Sequence, residues 1–238
     1  MQQTVFYLIL EGEEQLSQPQ LEHGIRDSVC GRTAQDWVKE WIEWLICEES
    51  DRSPLTSQYN QNPFDVDARQ GRYSCTLNGR RESVWFLAGP VYGGRPAGTY
   101  TKWVVLPPTR RWHILASPFT SYVSSEEYPA LNRRGLYQRA KKDIDSITAL
   151  NATLDGVALN GFRLPIKTPF RIQNIPPRNV MSLSDEELER CNNTVTMCAD
   201  GHIYWLNPLD PGLHILHLSA SSPVYEFDVK FQLNVRAA

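Results

Sequence analysis

The chain has 238 residues, of which 41% are hydrophobic and 21% are charged. This composition is typical of a globular protein, and the length suits one domain of the larger kind. The net charge of −3 and the scattered basic pairs disfavour a nucleic-acid-binding protein. No apolar run reaches the roughly 18 residues that a membrane-spanning helix needs, so we expect neither nucleic acid nor membrane as a partner.

The first apolar run, residues 5–10, predicts a strand. It lacks a basic region before it and is followed by acidic residues, which is not the pattern of a signal peptide. We therefore expect a cytoplasmic protein, or an exported one if a leader has been removed. The five cysteines are irregularly spaced and indicate neither a disulfide framework nor a zinc site.

A helix is predicted from residue 34. Thr33 and Asp36 resemble a capping box at its beginning. Its apolar positions recur at helical spacing and define one face that we expect to pack on the rest of the fold. That face consists of Trp37, Trp41, Trp44 and Leu45.

The remainder of the chain is mainly of β character, because short apolar runs are separated by Gly and Pro. Asp155-Gly156 and Asp200-Gly201 each predict a tight hairpin turn. A short capped helix is expected over residues 184–191. The predicted strands are residues 83–88, 100–106, 112–116, 170–172, 195–198, 202–206, 213–219 and 225–235.

Together these patterns predict a mainly β fold: an antiparallel β-sandwich, jelly-roll-like, forming a single domain over residues 1–238. Residues 1–50 would supply an N-terminal strand and the Trp-rich helix packed on the sandwich. Residues 133–150, with apolar residues at helical spacing, predict a mid-chain helical insertion.

The sequence contains no Gly-x-Ser-x-Gly elbow, dinucleotide fingerprint or phosphate-binding loop. We accordingly predict no cofactor and no metal. Asp65 and Asp67 favour an Asx-turn over a calcium loop, since the other ligands of such a loop are missing. His214 and His217 are three apart in a strand and would face opposite sides of the sheet, so His214 is expected to order the turn at residues 208–212.

Aromatic residues are the strongest compositional signal, with seven Trp and ten Tyr. Exposed rings on a sheet contribute to the binding of sugars and proteins, whereas buried rings form the core. The candidate ligand-binding residues are Trp103, Trp112, Tyr92 and Tyr100.

Two functions follow as hypotheses. The first is a non-catalytic binding or interaction module that recognises a glycan or a protein partner through aromatic residues and loops. The alternative is an enzyme, a hydrolase or an isomerase, with Asp65, Asp67 and His113 as acid/base groups at the mouth of the sandwich. The two differ in whether titratable groups converge in a concave site.

A resemblance extends over roughly residues 34–235. Its order of motifs is similar to that of a bacterial family, many of whose members are exported and which has no agreed activity. The resemblance implies a β-sandwich-like fold and carries over no catalytic residue. The motifs are the Trp-rich helix, Asn62-Pro63, Val84-Trp85-Phe86-Leu87-Ala88-Gly89, Asp200-Gly201-His202-Ile203-Tyr204-Trp205, and residues 227–235.

Overall fold

The computed structural model describes residues 31–47, 72–77, 80–88, 100–106, 112–223 and 226–237. Within these ranges the chain is mainly β, with three helices and eleven strands arranged in two sheets. The helices are α1 (Ala34–Cys47), α2 (Arg133–Asp145) and α3 (Asp185–Arg190). The strands are β1 (Arg72–Leu77), β2 (Arg80–Leu87), β3 (Tyr100–Leu106), β4 (Trp112–Ser124), β5 (Ala149–Leu154), β6 (Val157–Ala158), β7 (Phe162–Arg163), β8 (Ile166–Ile172), β9 (Val195–Leu206), β10 (Gly212–Ser221) and β11 (Glu226–Val235).

One sheet has six strands. Its order is β1-β2-β4-β9-β7, and β8 also pairs with β9. The other sheet has five strands in the order β3-β11-β10-β5-β6. The strand predicted at residues 5–10 lies outside the described residues.

The sheets are mixed, so the prediction of a purely antiparallel arrangement is wrong for two strand pairs. Strand β2 is parallel to β4, and β3 is parallel to β11. Between β2 and β4 the chain crosses to the five-stranded sheet, forms β3 there, and returns. A hairpin would make β2 and β4 antiparallel. Because β3 of the other sheet lies between them in the chain, they are joined by a crossover instead, and they run parallel.

The two sheets share one hydrophobic core. This core is built from strands in which buried and exposed residues alternate. Strand β11 shows this most clearly, because every second residue is buried. The six-stranded sheet contributes, among others, Trp85, Ile114 and Tyr204, and the five-stranded sheet Leu216 and Phe231.

Helix α1 covers the opposite side of the six-stranded sheet. Trp37 meets Phe86 edge to face, with ring centroids 6.3 Å apart. The indole N–H of Trp41 donates to the carbonyl oxygen of Leu87 at 3.1 Å. The predicted cap is confirmed, since a carboxylate oxygen of Asp36 accepts from both the backbone N–H and the hydroxyl of Thr33.

Helix α2 lies on the same side of the six-stranded sheet as the inter-sheet core, over the first half of β9. Leu136 and Ala140 pack there against Val123 and Cys198. The predicted insertion at residues 133–150 is thus a helix, but it ends earlier than expected. Residues 149 and 150 already belong to β5, because they pair with β10.

The first predicted hairpin turn is confirmed and the second is wrong. Asp155 and Gly156 have φ of 52° and 81° and join β5 to β6, which is the positive-φ backbone of a tight turn. Residues 195–206 instead form the continuous strand β9, with Asp200 and Gly201 in its middle.

Two further predictions concern membranes and cysteines. Over the described ranges, no helix is long and apolar enough to cross a membrane. Cys191 and Cys198 are free thiols, and burial raises the pKa of the Cys198 thiol.

Candidate functional site

The predicted acid/base residues are only partly visible. Asp65 and Asp67 lie outside the described residues. His113 lies in β4 on the side covered by α1, as does its neighbour Leu115 in the α1 core. Its ring is 5.5 Å from the ring of Trp205. His113 is therefore half-buried against an aromatic side chain on that side of the sheet.

The predicted ligand-binding residues are distributed over both sheets. Tyr100 and Trp103 lie in β3, in the five-stranded sheet, paired with Val229 and Gln232 of β11. Trp112 lies at the beginning of β4, in the six-stranded sheet, and Tyr92 is outside the described residues. The strand positions of Trp103 and Trp112 do not bring these residues together on one sheet.

The histidines are also dispersed. His202 is on the opposite face of the six-stranded sheet from His113, and His217 is on the exterior of the five-stranded sheet. His214 lies near the beginning of β10, where its Nε2 is 2.9 Å from the carbonyl oxygen of Asp210 in the preceding turn, as predicted for a residue that orders this turn. In the part of the chain that the structure describes, no three His, Cys, Asp or Glu side chains are grouped to hold a metal ion.

One cluster of charged residues does converge, where α2 crosses the six-stranded sheet. Asp200 of β9 has a fully buried side chain. Its carboxylate accepts from Arg163 twice, at 3.0 Å from Nε and 2.7 Å from Nη2. The remaining guanidinium nitrogen, Nη1, donates to Asp145 of α2 at 2.7 Å. Arg163 thus links a buried carboxylate of the sheet to an exposed one of the helix.

The electrostatics of this cluster follow from burial and from that ion pair. Hydrogen bonding to Asp200 and Asp145 raises the pKa of Arg163. Burial and the charge of Asp200 raise the pKa of Tyr137. Burial and Arg163 lower the pKa of His202, although Asp200 acts in the opposite direction. The imidazole of His202 is therefore neutral at pH 7.

The chemistry available to this cluster is limited, because its donors are already used. Arg163 directs all three guanidinium nitrogens at Asp200, Asp145 or the carbonyl oxygen of Lys141. A guanidinium whose nitrogens already donate to these oxygens has few N–H groups available to bind an anion. We interpret the cluster as a polar cross-link that joins β7 and β9 to α2.

A different surface is suited to recognition, namely the exterior of the five-stranded sheet, which we term the open face. It consists of the residues that alternate with the buried positions of β5, β10 and β11. Its described side chains are half-buried or exposed. They are Thr101, Asn151, Thr153, Leu213, Ile215, His217, Ser219, Ser221, Glu226, Asp228, Lys230, Gln232 and Asn234.

The register arranges the open face in rows. One row runs from Thr101 through Lys230 and His217 to Thr153, across four strands. At a strand spacing of about 4.8 Å, this row is roughly 14 Å long. The next row places Gln232 between the position of Trp103 and Ile215. The first of these rows is therefore entirely polar, and the second combines polar Gln232 with two apolar positions.

One polar contact fixes part of the open face. His217 Nε2 lies 2.8 Å from a carboxylate oxygen of Asp228. These two side chains are diagonal neighbours across β10 and β11, since His217 pairs with Lys230 and Ser219 pairs with Asp228. The contact orients an imidazole and a carboxylate side by side at a solvent-accessible surface.

The sequence contained a signal for the open face. The alternation predicted for residues 225–235 places Asp228, Lys230, Gln232 and Asn234 opposite the buried residues, and this is confirmed. The charged cluster had no comparable signal, because Arg163 and Asp200 are 37 residues apart. Only the pairing of β7 with β9 brings them together.

Comparisons with known proteins add no relative. No family model matches the chain, and neither the curated proteins nor the solved structures gave a match. The resemblance to a family of exported bacterial proteins therefore stays a prediction.

Proposed function

We propose that the chain is a non-catalytic binding module built on a jelly-roll-like β-sandwich, and that its open face binds a glycan. The sandwich is supported by the core that both sheets share. The binding function is supported by one observation above all: the open face exposes a polar, regularly spaced surface over several strands.

The side chains of the open face suit sugar hydroxyls. Each hydroxyl both donates and accepts a hydrogen bond, and the amides of Gln232 and Asn234 and the hydroxyls of Thr101, Thr153 and Ser219 do the same. Charged Lys230 and Asp228 add stronger donors and acceptors.

Apolar contacts complete this surface. Leu213 is 58% exposed, and Ile215 lies beside Gln232 in the register. The position of Trp103 adjoins the same row. An apolar side chain among hydrogen-bonding groups can cover the C–H face of a sugar ring while its neighbours bind the hydroxyls.

A glycan fits the open face better than a protein partner does. Protein interfaces are enriched in Arg, Trp and Tyr, and their energetic centres are large buried anchors. Among the side chains that the structure describes on the open face, there is no Arg, Trp or Tyr. Its small polar side chains are typical of a hydrogen-bonding surface.

The proposal is tested by screening the purified chain against soluble polysaccharides and oligosaccharides, followed by calorimetric titration of those that bind. Gln232→Ala and Trp103→Ala are each expected to weaken binding about tenfold, which corresponds to about 1.4 kcal/mol. Gln138→Ala, on the exposed side of α2, is the matched control and should leave binding unchanged.

Two results would contradict the proposal. If no saccharide binds, or if the open-face variants bind as well as the control, the open face is not a glycan site. If a saccharide is cleaved or isomerised during the incubation, the enzyme hypothesis replaces the binding module.

A further inference from the structure

Helix α2 is basic although the chain as a whole is acidic. Its 13 residues include five Lys and Arg and two Asp, whereas the net charge of the chain is −3. Such a concentration of one sign produces a local potential that the net charge does not reveal.

Part of this charge is neutralised within the helix. Asp143 pairs with Arg139 at 3.6 Å, and Asp145 pairs with Lys141 and with Arg163. Arg133 and Arg134, in the first turn, form no ion pair with any residue that the structure describes. Both are exposed.

Strand β8 adds two further cations next to that first turn. The carbonyl oxygens of Arg133 and Lys167 both contact the Cys198 sulfur, at 3.7 and 3.6 Å. Lys167 Nζ lies 5.7 Å from the centre of the Tyr137 ring. Arg171 pairs with Thr196 in the register, two residues before Cys198 along β9.

We term this surface the basic face: Arg133, Arg134, Lys167 and Arg171 around Tyr137. Arg134, Tyr137 and Lys141 are spaced three and four residues apart, so they share one flank of α2. Lys167 and Arg171 are exposed and, like the two arginines, form no ion pair in the described ranges. Lys167 thus lies against the Tyr137 ring, and Arg133 and Arg134 precede Tyr137 by one turn of α2, all without a carboxylate partner among the described residues.

We propose that the basic face docks an acidic segment of a partner protein. The three arginines suit carboxylates, because a guanidinium binds a carboxylate through two parallel hydrogen bonds. This inference is independent of the glycan proposal, since the basic face and the open face belong to different parts of the fold.

The surroundings of the basic face disfavour other anionic partners. A continuous phosphate backbone would run along α2 from the basic face to Asp143 and Asp145 near the end of the helix, whose carboxylates would repel it, whereas a short acidic segment need contact only the first turn and β8. An anionic membrane would favour exposed apolar anchors near the cations. Among the described residues, the exposed large hydrophobic side chain next to α2 is Tyr128, and it is already covered by Arg139, whose guanidinium carbon lies 5.4 Å from its ring centre.

The test measures the fluorescence anisotropy of a labelled oligoglutamate peptide titrated with the whole chain, at about 20 mM salt to limit screening. The variant Arg134→Glu/Lys167→Glu should weaken binding about tenfold or more. The control Lys142→Glu/Arg190→Glu has the same net charge but alters exposed residues outside both the basic face and the open face, and it should bind nearly as well as the unmodified chain. Circular dichroism checks that both variants are folded, and Arg134→Gln/Lys167→Gln replaces the first variant if it is not.

Three outcomes would overturn the proposal. The first is that the peptide does not bind, and the second is that the control loses as much affinity as the basic-face variant. The third is that single-stranded nucleic acid or vesicles of anionic lipid compete for the basic face more strongly than oligoglutamate does, which would assign the surface to that partner instead.

Discussion

Arg163 illustrates how much can depend on one side chain. It is the ion-pair partner of a fully buried carboxylate, and removal of one member of a buried pair leaves an uncompensated charge in the interior. We predict that Arg163→Leu lowers the free energy of unfolding by about 3 kcal/mol, measured by urea denaturation. Lys141→Ala, which removes an exposed ion pair on α2, should change stability little. Equal effects of the two substitutions would refute this account of the cluster.

His214 should make the stability of the fold depend on pH. Burial favours its neutral form, but hydrogen bonds with the Asp155 carboxylate and the Asp210 carbonyl outweigh burial and raise its pKa above the ordinary value of 6.5. A raised pKa means that the folded state binds the proton more tightly than the unfolded state does. The stabilisation is therefore complete below about pH 6.5 and disappears as the pH rises through the folded pKa.

Asp155→Asn tests this dependence. Asn tolerates the positive φ of position 155, and its amide oxygen can still accept from the backbone N–H of Ile215. We expect the His214 pKa, measured by NMR, to fall in the variant. The stability difference between the two proteins should be largest at about pH 5 and should shrink toward pH 8. A difference that stays constant over this range would exclude the proposed link.

At the scale of elements, strand β9 shows why one turn was predicted wrongly. Asp200-Gly201 is the same dipeptide as the true turn at Asp155-Gly156, but its two residues are present for reasons other than a turn. Asp200 is the partner of Arg163. Gly201 is required because β4 approaches closely: a Cβ atom there would lie 2.5 Å from Thr120 Oγ1. Both causes come from distant parts of the chain, so local sequence could not distinguish them.

Gly201→Ala tests the close approach of β4 and β9. The added methyl group would also lie 3.1 Å from the backbone Cα of Thr120, so relief requires the strands to move apart. We expect a loss of about 1–3 kcal/mol in unfolding free energy. Gly135→Ala, in α2, serves as the control, because there the neighbour is the flexible side chain of Leu131. Comparable losses in the two variants would indicate that strand spacing is not the cause.

Helix α1 was the element most accessible to sequence reasoning. Its cap, its beginning and its buried indoles all follow from local spacing, and Trp37, Trp41 and Trp44 are buried as expected. The surface on which α1 packs could not be predicted from the sequence. The hydrogen bond from Trp41 to Leu87 joins residues 46 positions apart, and that distance is set by the arrangement of the sheets.

At the scale of the whole molecule, the β content and the positions of strands such as β3, β10 and β11 followed from periodicity, whereas β1, β5 and the strand order did not. Strand β3 was predicted with its observed bounds, yet nothing in its residues indicated that it pairs in parallel with β11. Parallel pairing requires a long connection between the two strands. Which sheet β3 joins depends on how the whole chain packs, and the residues of β3 do not specify it. Tyr100, Trp103 and Trp112 were therefore assigned to strands correctly, but their division between two sheets could not be foreseen.

The two sheets differ in what covers their faces, and the proposed function depends on this difference. Helix α1 covers one side of the six-stranded sheet, and the shared core lies on its other side. The five-stranded sheet has the core on one side and presents the open face on the other. A rigid sheet with an accessible polar exterior is a surface on which binding groups are held at fixed spacing.

The most direct measurement is an NMR titration of the isotope-labelled chain with a saccharide that the screen identifies. The account predicts that amide shifts concentrate at alternate residues of β10 and β11, around His217, Lys230 and Gln232, while α2 and β9 stay unperturbed. Shifts centred on α2 or on the six-stranded sheet, or no shifts with any saccharide, would contradict the assignment of the open face as the binding site.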